Sequence, residues 1–106
     1  MDAQLKRGLL EVCVLKALSG GDSYGYKIIK DLSGCIALSE STLYPILRRL
    51  ETAGMLTVYT SEHDGRLRKY YRITDDGRAR LSNFGAEWQE VRSVYEFICG
   101  GDKSNE

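Results

Sequence analysis

The sequence predicts a mostly α-helical domain with one small β-hairpin, on three observations. Three apolar stripes at helical spacing, divided by Gly and Ser punctuation, fill residues 5–54. Asp64-Gly65 sits between two segments of alternating β-formers. A last apolar stripe, Leu81, Phe84, Trp88, Val91, Tyr95 and Ile98, steps 3, 4, 3, 4, 3 along the chain.

The elements follow in order. Leu5 to Leu18, LKRGLLEVCVLKAL, is interrupted only by Lys6, Arg7, Glu11 and Lys16, and reads as a helix buried on most of its circumference. Ser19-Gly20-Gly21-Asp22 ends it, the glycines being suited to a left-handed cap. Ser23 is the expected cap of a second helix, SYGYKIIKDL, with Tyr24, Ile28, Ile29 and Leu32 on one side and an end near Ser33-Gly34. Ser39 is the expected cap of a third, ESTLYPILRRLETAG, closed by Gly54. Its stripe is Leu43, Ile46, Leu47 and Leu50; Ser41, Thr42, Tyr44, Arg48 and Arg49 lie on the other side. Pro45 removes one helical hydrogen bond, so a bend is expected in the first turn or two.

A two-residue Asp-Gly turn pairs His63 with Arg66, and therefore Leu56 with Ile73, Val58 with Tyr71 and Tyr59 with Tyr70. One face carries Leu56, Val58, Tyr71 and Ile73 toward the helices; Lys69 falls on the same side and is expected to snorkel. Thr74 caps the last helix, with Asp75 and Asp76 in the first turn, where the helix dipole favours negative charge. Its stripe runs for about five turns, longer than three short helices can cover, and is expected to be a dimer interface. Residues 1–76 are expected to form a winged helix, 77–99 a dimerisation helix in the same compact unit, and 100–106 a disordered polar tail.

Composition narrows the function. With 106 residues the chain is one modest domain that buries only about two thirds of its unfolded surface, so a second subunit would help it. No apolar run spans a bilayer, and the start lacks a signal-peptide pattern. Cys13, Cys35 and Cys99 are odd in number and form no C-x-x-C pair, which favours free thiols in a reducing cytoplasm. His63 is the only histidine, and no phosphate-binding glycine motif is present, so an enzyme, a metal site and a nucleotide cofactor are not expected. Net charge is zero, but residues 66–80 hold six basic groups against two acidic ones. One basic segment is enough to hold a polyanion locally, within about a Debye length.

Three helices, a hairpin and a further helix are the order of a winged helix-turn-helix, whose third helix enters the major groove. Ser41, Thr42, Tyr44, Arg48 and Arg49 are side chains suited to base edges and phosphates. The helix start at Ser39 suits a phosphate, and Arg66, Arg68 and Lys69 at the wing suit the backbone.

On these residues the chain resembles the PadR-type transcriptional regulators, in the subgroup with a short C-terminal region. The resemblance rests on Tyr24-Gly25-Tyr26 with Ile28-Ile29, and on SESTLYP at 39–45 with LRRLE at 47–51. It continues in Gly54-Met55-Leu56, in RKYYRIT at 68–74 with Gly77, and in Glu87-Trp88. It covers roughly residues 5–98; Ser41 stands where the family commonly has glycine. The resemblance implies a cytoplasmic homodimeric repressor that binds inverted-repeat duplex DNA and dimerises through its last helix together with its first. It implies a small planar aromatic effector between subunits, beside Trp88. Leu5, Gly8, Val12, Phe84 and Arg92 are then the expected neighbours of that ligand. Two alternatives of other classes stay open: a winged-helix module that binds an acidic protein partner, and a small-molecule sensor without DNA binding.

Overall fold

A computed structural model describes residues 1–100; the expected tail beyond Gly100 lies outside the described residues. The chain runs α1 (Ala3–Leu18), α2 (Gly25–Leu32), α3 (Glu40–Thr52), β1 (Leu56–His63), β2 (Arg66–Ile73) and α4 (Asp75–Ile98). The core gathers Leu10, Val14, Leu15 and Leu18 of α1, Ile28 and Leu32 of α2, and Leu38. To these it adds the full α3 stripe (Leu43, Ile46, Leu47, Leu50) and Leu56, Tyr71 and Ile73 of the hairpin.

α1 starts two residues before the expected Leu5, because Asp2 Oδ2 accepts the Gln4 and Leu5 amides, both at 3.1 Å. Its burial is confined to the stretch from Leu10 to Leu18; the first turns stand exposed. Ser23 does not cap α2. Its amide donates to the Tyr71 carbonyl at 3.1 Å and its carbonyl accepts the Tyr71 amide at 2.8 Å, so it joins the edge of the hairpin instead. Two backbone bonds outweigh one side-chain cap, and Tyr24 takes the capping position with no side-chain bond. α3 runs unbroken through Pro45 from its cap at Ser39, whose Oγ accepts the Thr42 amide at 3.3 Å, to Thr52, and the chain turns away at Gly54, φ 78°.

The hairpin has the register expected from the turn, His63 opposite Arg66 through Leu56 opposite Ile73. Asp64 and Gly65 both take positive φ, 52° and 77°, as a type I′ turn requires. At its base the chain makes a tight corner. The Thr74 amide donates to the Met55 carbonyl at 3.1 Å, and Thr74 Oγ1 donates to the Gly54 carbonyl at 2.7 Å. The same Oγ1 accepts the Gly77 amide at 3.1 Å, capping α4. A Cβ on Gly77 would stand 2.2 Å from the Met55 carbonyl oxygen, so only glycine admits this approach. From the corner α4 runs out across α1, and the molecule measures 64 × 26 × 21 Å. No helix among the described residues is long and apolar enough to cross a membrane.

Candidate nucleic-acid interface

Burying the α3 stripe turns the opposite side of α3 outward. Ser39, Ser41, Thr42, Tyr44 and Arg48 are all exposed there. The three hydroxyl groups at the start form a local net, Ser39 Oγ lying 3.0 Å from Ser41 Oγ and donating to Thr42 Oγ1 at 3.1 Å. Tyr44 leans on α2: a Cβ on Gly25 would lie 2.7 Å from its hydroxyl. Beside it a cleft lined by Tyr24, Gly25, Tyr26, Glu40, Tyr44, Leu67, Arg68, Lys69 and Tyr71 separates the starts of α2 and α3 from β2. Arg48 shares a neighbouring hollow with Tyr44, Glu51 and Lys69, and Lys69 is exposed. One face therefore combines a helix surface with the basic wing, which suits a groove and its flanking phosphates.

Arg49 departs from the expectation that it lies with Arg48. Consecutive helical residues stand about 100° apart, so the two arginines flank the buried stripe on different sides. Arg49 Nε donates to Glu11 Oε2 of α1 at 2.6 Å, and Arg80 Nη1 of α4 lies 2.9 Å from Glu11 Oε1. Burial pushes the Glu11 pKa up, but the hydrogen bonds from Arg49 and Arg80 outweigh it and hold the carboxyl below its ordinary value.

The wing is anchored at its root by Asp22 and Tyr59, which belong to no motif, together with Arg72 of the RKYYRIT run. Asp22 Oδ2 accepts the Tyr59 hydroxyl at 2.6 Å and Arg72 Nη2 at 2.9 Å. Arg72, then Tyr59, hold the Asp22 carboxyl below its usual range. Tyr59 stacks on Tyr70 at 5.6 Å, Tyr70 meets Tyr24 edge-on at 5.7 Å, and the Arg68 guanidinium lies 3.9 Å over the Tyr24 ring. Arg68 is thus partly engaged in cation–π packing, while Arg66 at the tip is exposed.

On the far side of the molecule, Leu5, Gly8 and Val12 of α1 meet Phe84 and Trp88 of α4 in one groove, with Gln4, Leu9, Arg80, Glu87 and Val91. Phe84 and Trp88 stack at 5.8 Å with 16° between their planes. Arg92 falls outside this groove. It lies one turn beyond Trp88 and lines an adjoining hollow together with Trp88, Val91, Tyr95 and Glu96. Along the stripe Leu81 and Phe84 are half-buried, whereas Trp88, Val91, Tyr95 and Ile98 are exposed, Ile98 to 72%. Val94 and Phe97 widen the exposed strip, and a reading restricted to the heptad seam passes over both.

Residues 14–83 match the sequence model of the family described as transcriptional regulator PadR-like. The chain belongs to that family. It is 34% identical over 80 residues to a transcriptional regulator of Mycobacterium tuberculosis, a match covering 74% of this chain and 75% of the relative. A PadR family regulator from Eggerthella lenta superposes with a TM-score of 0.82 at 34% identity, covering 93% of this chain and 88% of that one. A Streptococcus mutans protein is 41% identical with a TM-score of 0.75, covering 92% of each. In this PadR-like chain the basic wing and α3 lie within the matched span, and the exposed part of α4 lies beyond it.

Cys13 is the most enclosed of the three thiols; burial, and then Cys35, raise its pKa, which makes it a poor nucleophile.

Proposed function

We propose that this PadR-like regulator is a homodimeric repressor that reads an inverted-repeat DNA operator in the cytoplasm. In it α3 lies in the major groove, presenting Ser39, Ser41, Thr42, Tyr44 and Arg48, while Arg66, Arg68 and Lys69 of the wing hold phosphates. The supporting observation is that the polar side of α3 and the basic wing are exposed on one common face. The exposed α4 stripe supports association of two copies, since so much contiguous apolar surface is unusual on a monomer. A two-fold dimer presents two α3 helices to successive major grooves. A planar aromatic ligand at the stacked Phe84–Trp88 pair is the effector of this reading, and it acts by binding one spacing of the two reading helices better than another.

Selection from a random duplex library with the purified protein tests the reading. Enrichment of an inverted repeat is expected, with affinity falling as salt rises. Uniform weak binding to all sequences would overturn it in favour of a protein-binding module. Trp88 is the only tryptophan, so quenching of its fluorescence by a planar dye reports the ligand site directly.

A further inference from the structure

We propose that Arg49 is not a DNA-contacting residue: Glu11 holds it, together with Arg80, as a three-helix clamp that sets the angle of the reading helix α3 against α4. The inference rests on the DNA-binding reading above and deepens it, by dividing the two adjacent arginines between contact and positioning.

Glu11 is at the geometric centre of the clamp. Each of its oxygens meets a different guanidinium, Oε2 that of Arg49 on α3 and Oε1 that of Arg80 on α4. Its side chain is 11% exposed, against 42% for Arg49 and 30% for Arg80, so the carboxylate is shielded while the guanidinium of Arg49 still meets solvent. Removing an arginine leaves the shielded Glu11 carboxylate with one oxygen unpaired. Arg48 forms no ion pair among the described residues and stands on the wing side of α3. The clamp also reaches the far groove, because Arg80 lines it beside Phe84 and Trp88. A shift of α4 against α1, whatever drives it, therefore changes the contacts of the carboxylate that orients Arg49. Coupling of this kind is reciprocal: what α3 gains on DNA, α4 feels.

The two roles differ in salt dependence. Each phosphate neutralised contributes about 0.9 to the slope of log affinity against log salt. With the operator obtained by selection, Arg49→Ala is expected to weaken binding about tenfold at every salt concentration with the slope unchanged. Glu11→Gln is expected to weaken it similarly, and the double variant no further, since both break the same clamp. Arg49→Lys, which keeps the charge but loses the Nε donor, is expected to behave as Arg49→Ala does, and it stands as the test should Glu11→Gln not fold. The proposal is overturned by a slope shallower by about 0.9 in Arg49→Ala, by Arg49→Lys retaining wild-type affinity, or by tighter binding in Glu11→Gln. Failure of the wild-type protein to enrich any operator would instead remove the DNA-binding reading and the clamp's role with it.

Discussion

Two glycines with close neighbours separate stability from function. A methyl group on Gly77 would meet the Met55 carbonyl oxygen, which belongs to the backbone and cannot step aside. Gly77→Ala is expected to cost about 2–3 kcal/mol, seen as a lower melting temperature. A methyl group on Gly25 meets the far end of the Tyr44 side chain, which can swing away. Gly25→Ala is therefore expected to leave the melting temperature within a few degrees while weakening operator binding, because Tyr44 is displaced on the proposed DNA face. Equal melting temperatures for the two variants would contradict the packing at the corner. Glu11 supplies an acid-side signature. Its pKa is lowered on folding, so its contribution to stability is present above the ordinary carboxylate value and is lost as pH falls through the lowered one. Urea titrations between neutral pH and pH 3 are expected to show a shallower acid loss in Glu11→Gln than in the wild type. Asp22, shifted in the same direction, keeps part of that loss in both proteins.

Among the elements, the hairpin was the most legible. Asp64-Gly65 dictates a turn type, the turn dictates the register, and the alternation of Leu56, Val58, Tyr71 and Ile73 dictates which side faces the core. The start of α2 was not legible, because what recruits Ser23 is Tyr71, which is remote in the chain and adjacent only once the wing has folded back. The start of α1 was legible in principle: Asp2 is a strong capping residue, and the apolar pattern simply begins later than the cap. That Arg48 and Arg49 flank the stripe on different sides was legible from the helical repeat, but which flank meets Glu11 and Arg80 was not, since that depends on where α1 and α4 pack. Asp22 likewise carries no motif, yet it ties the loop before α2 to both strands. Exposed ion pairs contribute little to stability, so Asp22→Asn is expected to change the unfolding free energy by less than about 1 kcal/mol. The same variant is expected to speed amide exchange across β1 and β2; unchanged exchange would mean that the tyrosine stack alone fixes the wing.

Over the whole molecule, the apolar stripe of α4 was legible as surplus surface: a stripe longer than the helices available to cover it. What would cover it in the proposed dimer is not something that periodicity in one chain specifies. Val91 borders the groove beside α1, the hollow with Arg92, and a further hollow lined by Glu90, Val94, Tyr95 and Ile98, which makes it the most central position of the strip. Val91→Glu is expected to convert a dimer into a monomer in equilibrium sedimentation and to abolish operator binding, with helix content retained because the side chain is already exposed. A dimer that survives this change would move the interface elsewhere. The corner at Met55, where one carbonyl oxygen receives Thr74 and abuts Gly77, gives this outlying helix a mechanical character. In the proposed dimer it would act as a fulcrum, with α4 as the lever arm. At 1.5 Å per residue the 24-residue arm is about 36 Å long, so a tilt of about 5° at the fulcrum carries its tip about 3 Å. Two such arms joined along their exposed stripes would convert a displacement too small to disturb either core into a mismatch with the pitch of a double helix.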